Sequence, residues 1–303
     1  MRRPTIRALI LAAVSASSAA AQTVDDGLMI PKRTFVAGVL YAQDSWDQYW
    51  EGTLRRTNGN IGTVTTRSLT FASAYGVTER LSVIAALPYV WTSASEGTLS
   101  GSSGIQDVTV AAKYRLLTAE SSRHGAVSAF LVGAVSLPMS NYTPDYLPLS
   151  IGYGDGRATG RLTVDYQSTS PWFMNASAAY TWCSNVTLDR VSYYTDGQLY
   201  LTNKVAIPNV VSYALGTGYR GGRLRIPFSL VQQRTLGGGD IRRQDMPFVS
   251  NRMDYTRIDG GVIYALDVPS NVTVRLGAAH VLNGRNVGQS TTLTSGVFYA
   301  LHF

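Results

Sequence analysis

Residues 293–303 read Leu293-Thr294-Ser295-Gly296-Val297-Phe298-Tyr299-Ala300-Leu301-His302-Phe303. Successive side chains of an extended strand point to opposite faces, so Leu293, Val297, Tyr299, Leu301 and Phe303 share one side. The other side carries Thr292, Thr294, Gly296, Phe298, Ala300 and His302, a set too polar and too small for a hydrocarbon-facing surface. Alone, the pattern fits two objects: the edge strand of a soluble domain, or a wall strand with one face in lipid.

The opposite end of the chain separates these alternatives. Arg2, Arg3 and Arg7 precede the apolar run of residues 8–14, and Ala19-Ala20-Ala21 offers small residues before Gln22. That is the layout of a cleavable secretory signal. The expected organisation is therefore a signal over residues 1–21, a short polar periplasmic leader over 22–32 and one domain over 33–303. No cysteine stands beside the cleavage site, so a lipid anchor is not expected. Removing 21 of the 303 residues leaves 282, with no run of the roughly 18 apolar residues that a spanning helix needs. An exported chain of this kind is either soluble or a barrel. Its last strand, with Val297, Tyr299, Leu301 and the terminal Phe303, resembles the assembly signature of bacterial outer-membrane β-barrels.

Composition points the same way. Charged residues make up 15% of the chain, below the roughly 25% of an average soluble domain, yet mean hydropathy stays close to zero. Strands that alternate lipid-facing apolar and lumen-facing polar residues produce that combination. The single cysteine, Cys183, has no internal partner for a disulfide and no metal-site spacing, and reads as a small structural residue. Three of the 26 basic residues belong to the signal, so 23 remain against 19 acids, a charge of +4. Without clustered Lys/Arg runs this excludes a nucleic-acid partner.

Period-two alternation recurs along the mature chain. Phe35, Ala37, Val39 and Tyr41 form a first strand, and Leu69, Phe71, Ser73 and Tyr75 a second. After the short turn Gly76-Val77-Thr78-Glu79, a third strand sets out Leu81, Val83, Ala85, Leu87, Tyr89 and Trp91. A fourth sets Val108, Val110, Ala112, Tyr114 and Leu116 against Asp107, Thr109, Lys113 and Arg115. Further strands are expected over 126–137, 161–167, 172–182, 210–219, 224–232, 255–266 and 272–282, before the terminal one. Short connections such as Ser168-Thr169-Ser170-Pro171 and Arg220-Gly221-Gly222 alternate with long ones over 138–156, 184–209, 237–251 and 283–290. Short periplasmic turns and long external loops are the habit of outer-membrane barrels. The sequence thus predicts an all-β, transmembrane, antiparallel up-and-down β-barrel of about 12 strands. Residues 184–209 leave 14 open, because Val191-Ser192-Tyr193-Tyr194 and Gln198-Leu199-Tyr200-Leu201 flank a turn at Thr195-Asp196-Gly197. Each arm falls short of the roughly 9–11 residues of a tilted spanning strand, which favours a hairpin above the membrane.

Four segments between residues 75 and 115 carry a family resemblance: Tyr75-Gly76-Val77-Thr78-Glu79-Arg80-Leu81, Leu87-Pro88-Tyr89, Gly104-Ile105-Gln106-Asp107-Val108 and Lys113-Tyr114-Arg115. This part resembles the MetA-pathway of phenol degradation family of outer-membrane transporters. There Gly-apolar-Gly-Asp is the commoner form, and Gln106 departs from it. The matching motifs describe barrel hairpins rather than a binding site. The resemblance implies an outer-membrane barrel linked to uptake of aromatic or other small hydrophobic compounds.

On the apolar face, Tyr89, Trp91, Tyr114, Trp172, Trp182, Tyr219 and Tyr264 lie near strand ends, where amphipathic rings form interfacial girdles. Simple β-propensity also enriches aromatics in strands. Out of phase with the apolar residues stand Arg80, Lys113, Arg115, Arg161, Arg225, Arg257 and Arg275, with Asp107, Asp165 and Asp259. A Lys or Arg facing lipid at mid-membrane costs roughly 2–4 kcal/mol, so these ten residues are expected to face the lumen. Either they favour anionic solutes, or Arg–Asp pairs brace a narrow barrel; Arg80 and Arg115 also lie near periplasmic turns.

Other motifs carry nothing. Gly216-Thr217-Gly218-Tyr219-Arg220-Gly221 matches GxGxxG but leads from strand to strand, with no helix to receive a phosphate. Gly237-Gly238-Gly239-Asp240 lacks the Lys-Ser/Thr of a P-loop. A barrel hydrolase needs Ser, His and an orienting Asn or Asp together. Of His124, His280 and His302, only His280 sits at a plausible height, and no His-x-Ser pair accompanies it. The reading is therefore a non-enzymatic, cofactor-free channel for small solutes, possessing as partners outer-membrane lipid, the barrel-assembly machinery through the last strand, and a small-molecule solute. The alternative is a non-transporting structural or adhesion barrel that acts through its outer loops.

Overall fold

The computed structural model describes residues 23–242 and 248–303; the signal and its cleavage site lie outside the described residues. Twelve long strands form the wall: β1 Thr34–Trp46, β2 Val64–Gly76, β3 Leu81–Ala94, β4 Asp107–Ser121, β5 Gly125–Pro138, β6 Arg157–Gln167, β7 Trp172–Cys183, β8 Val210–Gly221, β9 Leu224–Thr235, β10 Asp254–Ala265, β11 Val272–Arg285 and β12 Thr291–His302. At 11 to 15 residues each, they are long enough to cross a bilayer while tilted. Every neighbour pair is antiparallel. The sheet closes where β12 pairs β1, with Val39 opposite Val297 on one side and Phe71 on the other. Closure removes the two open edges, which lipid cannot hydrogen-bond.

The register sorts the side chains as the alternation requires. Phe71, Met174, Leu215 and Leu276 stand more than half exposed on the outer face. Along β12, Leu293, Val297, Tyr299, Leu301 and Phe303 are all exposed, whereas Ala300 between them is buried. Trp172 packs edge-on against Tyr219, and Trp91 against Tyr41 and Tyr89. These clusters occupy strand ends, as girdle residues should.

Five short turns join the strands at the end that holds both termini. Gly222, with φ of 56°, makes the tightest between β8 and β9 possible, since a side chain there is strained. Long loops occupy the other end. Within residues 184–209, Val186–Thr187 pairs Lys204–Val205, and Tyr193–Thr195 pairs Gln198–Tyr200; neither joins the barrel sheet. The count is therefore 12 rather than 14. Cys183, Val186, Leu188, Tyr193, Val205, Ile207 and Val249 bury one another there, with Leu147 and Tyr153 packed alongside. The outer loops thus fold into a cap with its own small core, and Cys183 is one of its packing residues.

Two features differ from the sequence expectation. Residues 103–105, for which no strand was expected, pair with Tyr89–Trp91 and continue the wall above β4 as one extra short strand. The break between that strand and β4 is Gln106, whose backbone N–H binds the Pro88 carbonyl and whose amide reaches the Ile151 carbonyl of the cap. The second difference is the leader: residues 23–32 lie against the barrel's inner wall, and Ile30 is buried with Val36, Ala74 and Ala300.

Candidate functional site: a cationic lumen lined by the N-terminal segment

The barrel holds a cavity of about 700 Å³. Its strands contribute six arginines, Arg157, Arg161, Arg220, Arg225, Arg257 and Arg275, against one aspartate, Asp259. Further counter-charge comes from Asp25 and Asp26 of the N-terminal segment, which also line it. A second cavity of about 600 Å³ adjoins the first toward the outer loops, bordered by Thr53, Arg252 and Arg285. Gln233 and Tyr255 line both, so the two form neighbouring compartments of the lumen.

Lys113 fixes the N-terminal segment. Its parity on β4 turns it inward, and its side chain is wholly buried. The ammonium donates to the Asp26 carboxylate at 2.7 Å, to the Thr23 carbonyl at 3.0 Å and to the Asp26 carbonyl. Three donors meet three acceptors, so no N–H is left to solvate. The Asp26 carboxylate also accepts the backbone N–H groups of Thr23 and Leu28. Burial alone would raise its pKa; the Lys113 charge and these hydrogen bonds outweigh burial and hold it below the ordinary 3.8. Gly27 lets the segment lie flat, because a Cβ there would sit 2.1 Å from the Asp165 carboxyl carbon.

Asp25 is held differently. Arg161 reaches it at 2.9 Å, but the Asp25 side chain is 60% exposed toward the cavity. Arg161 also donates to the Ser177 hydroxyl at 3.2 Å. The segment therefore has one deep anchor and one shallow contact.

Of the ten residues expected inside, Arg161, Arg225, Arg257, Asp259 and Arg275 line the cavity. Lys113 and Asp165 are buried beneath it, where Asp165 takes a two-pronged pair from Arg220 at 2.9 and 3.0 Å. Asp107 sits at the upper rim and accepts the Tyr142 hydroxyl of the cap. Arg115 lies at the lower rim, donating to the Glu79 carbonyl at 2.8 Å. Arg80 departs from the expectation: it is exposed on the turn between β2 and β3, where alternation no longer applies.

Comparison with known proteins follows from this geometry. The model of the family described as "Putative MetA-pathway of phenol degradation" matches residues 54–295. The chain belongs to this family. Among solved structures it is similar to the COG4313 outer membrane channel from Pseudomonas putida F1, with a TM-score of 0.74 and 14% identity over 92% of this chain and 100% of that one. The NanC porin follows at a TM-score of 0.49 and 9% identity over 86% and 100% of the two chains. The CymD monoaromatic hydrocarbon channel follows at 0.42 and 12% over 90% and 89%. No curated protein matches the sequence. The first of these likenesses shows that the family member described here has an outer-membrane barrel fold.

For this member of the family, the sequence reading passed over Arg157, Arg220, Asp25 and Asp26. Arg220 stands in the turn sequence Arg220-Gly221-Gly222, yet its guanidinium folds inward over Phe173, 4.2 Å from the ring centroid. Nothing local announces such a return. The adjacent pair Asp25-Asp26 read as leader polarity, because a segment without periodicity gives no sign of which wall it meets.

Proposed function

We propose that the protein is a channel that carries small solutes across the outer membrane and rests with its lumen closed. The observation that carries this reading is the charged cavity of about 700 Å³ enclosed by the wall. Arg157, Arg220 and Arg257 pair with Asp155, Asp165 and Asp259 of the barrel and can brace it; Arg161 pairs instead with Asp25 of the N-terminal segment, which bracing of the wall does not require. Thr23, Val24, Asp25, Asp26 and Leu28 of the N-terminal segment line that cavity. Movement of this segment is the step that opens the route. Membership in a family described by the MetA pathway of phenol degradation makes small aromatic compounds the first solutes to test.

The last strand supports a second element of the reading. Val297, Tyr299, Leu301 and Phe303 present one continuous apolar edge to lipid, which suits recognition by the barrel-assembly machinery. Nor does the outer face favour a hydrolase. His280 bonds Thr291 at 2.9 Å rather than a serine and a carboxylate.

Liposome swelling with purified protein tests the channel. Uptake of small neutral and aromatic solutes, raised when residues 23–32 are removed, is the expected result. Swelling no faster than in protein-free vesicles, for both forms, would leave the structural or adhesion reading. Deletion of residues 184–209 that abolishes binding to a partner surface without changing permeability would favour it further.

A further inference from the structure

The unequal hold on the two aspartates of the N-terminal segment points to a ligand. Asp26 is locked by the wholly buried Lys113, whose ammonium makes three contacts to the segment. Asp25 instead lays its carboxylate on Arg161 from the cavity side, in an ion pair open to solvent. Its surroundings are built for an anion. Arg257 and Arg275 share the cavity with Arg161, and Asp259, at 2.9 Å, answers only Arg257. Tyr255 lines the same cavity and brings an aromatic wall to it. Without the segment, that space would keep six arginines and Asp259, with Asp155 and Asp165 behind its lining pairing Arg157 and Arg220.

We propose that Arg161 is a binding site for small organic carboxylates, and that Asp25 occupies it as an internal stand-in. An entering carboxylate takes the Arg161 guanidinium from Asp25, its body resting against Tyr255. Deprived of its shallow contact, the segment is retained by Asp26 alone and leaves the wall more often. The solute that the channel carries thereby loosens the channel's own closure. This rests on the channel reading given above and adds to it a solute class and a coupling between binding and opening.

The coupling can be read without conduction. A single cysteine at Val24→Cys, in a Cys183→Ser background, reports exposure of the segment through its rate of maleimide labelling in the full chain. Sodium benzoate, compared with equal sodium chloride, should raise that rate about two- to fivefold, the size of one exposed ion pair. Benzamide, neutral and of the same shape, should leave it unchanged. In Asp25→Asn the rate should already be raised and no longer respond to benzoate; in Arg161→Gln the benzoate response should vanish. Equal effects of benzoate and benzamide, or no effect of benzoate on the parent, overturn the proposal, as does a full benzoate response in Arg161→Gln. Should Arg161→Gln fail to fold, Asp25→Asn alone decides, because a retained benzoate response there contradicts the stand-in. Labelling needs no flux, so its failure with normal swelling removes only the carboxylate site. Normal labelling without swelling removes the channel reading instead.

Discussion

Replacing Lys113 by Met tests how firmly the lumen is closed. The substitution keeps an unbranched side chain of similar length and removes a wholly buried ammonium with its three acceptors. Asp26 would keep the Thr23 and Leu28 N–H groups, and Arg225, which interacts with it electrostatically. Breaking a buried pair by removing one partner costs about 3–5 kcal/mol, and the contacts that remain argue for the lower end. At 1.4 kcal/mol per factor of ten, about 3 kcal/mol lowers the ratio of docked to undocked segment roughly 100-fold. Planar-bilayer recordings should then show Lys113→Met open far more often than the parent, approaching a variant that lacks residues 23–32. Adding Asp26→Asn to Lys113→Met should restore part of the closure, since the stranded carboxylate is then gone and the two effects are not additive. If the truncated variant conducts freely while Lys113→Met stays as closed as the parent, Lys113 is not the anchor and the reasoning fails.

Three further outcomes follow from the same contacts. Because the docked pKa of Asp26 lies below 3.8, its contribution to docking is complete above that value and lost as pH falls through the docked one; conductance measured against pH should stay low at pH 5 and rise only in stronger acid. Asn286, at φ of 56°, accepts the N–H groups of Gly52 and Ile241 and donates to Asp240 and to the Arg252 carbonyl. Asn286→Ala should loosen the loop over 47–63 and the segments at Asp240-Ile241 and Arg252 by about 2–4 kcal/mol, seen as faster proteolytic nicking there with the barrel intact. Val297→Arg, on the lipid face of β12, should destabilise the folded barrel in vesicles by about 2–4 kcal/mol, whereas Thr294→Ser on the cavity face should cost far less in the same urea titration.

The wall was legible because lipid imposes a binary choice on every second residue. Leu81 to Trp91 and Val108 to Leu116 carry that choice without interruption, and β3 and β4 stand where it puts them. The hairpin at Thr195-Asp196-Gly197 was legible too, since its arms are too short to span. The place of the N-terminal segment was not. Asp25 and Asp26 lie in a segment without periodicity, and their partners Arg161 and Lys113 are more than 80 residues away. Alternation tells that Lys113 faces inward; it does not tell that the chain's own start is what it meets. Arg220 escaped for a related reason, as a turn residue whose long side chain returns to the lumen.

The central claim is a lumen whose wall is cationic and which takes part of its counter-charge from the N-terminal segment. The reversal potential of the variant lacking residues 23–32, recorded across a potassium chloride gradient, tests it most directly. An anion-selective current, stronger in selectivity than any residual current of the parent, is the predicted result. Cation preference, or no current through a correctly folded barrel, would contradict it.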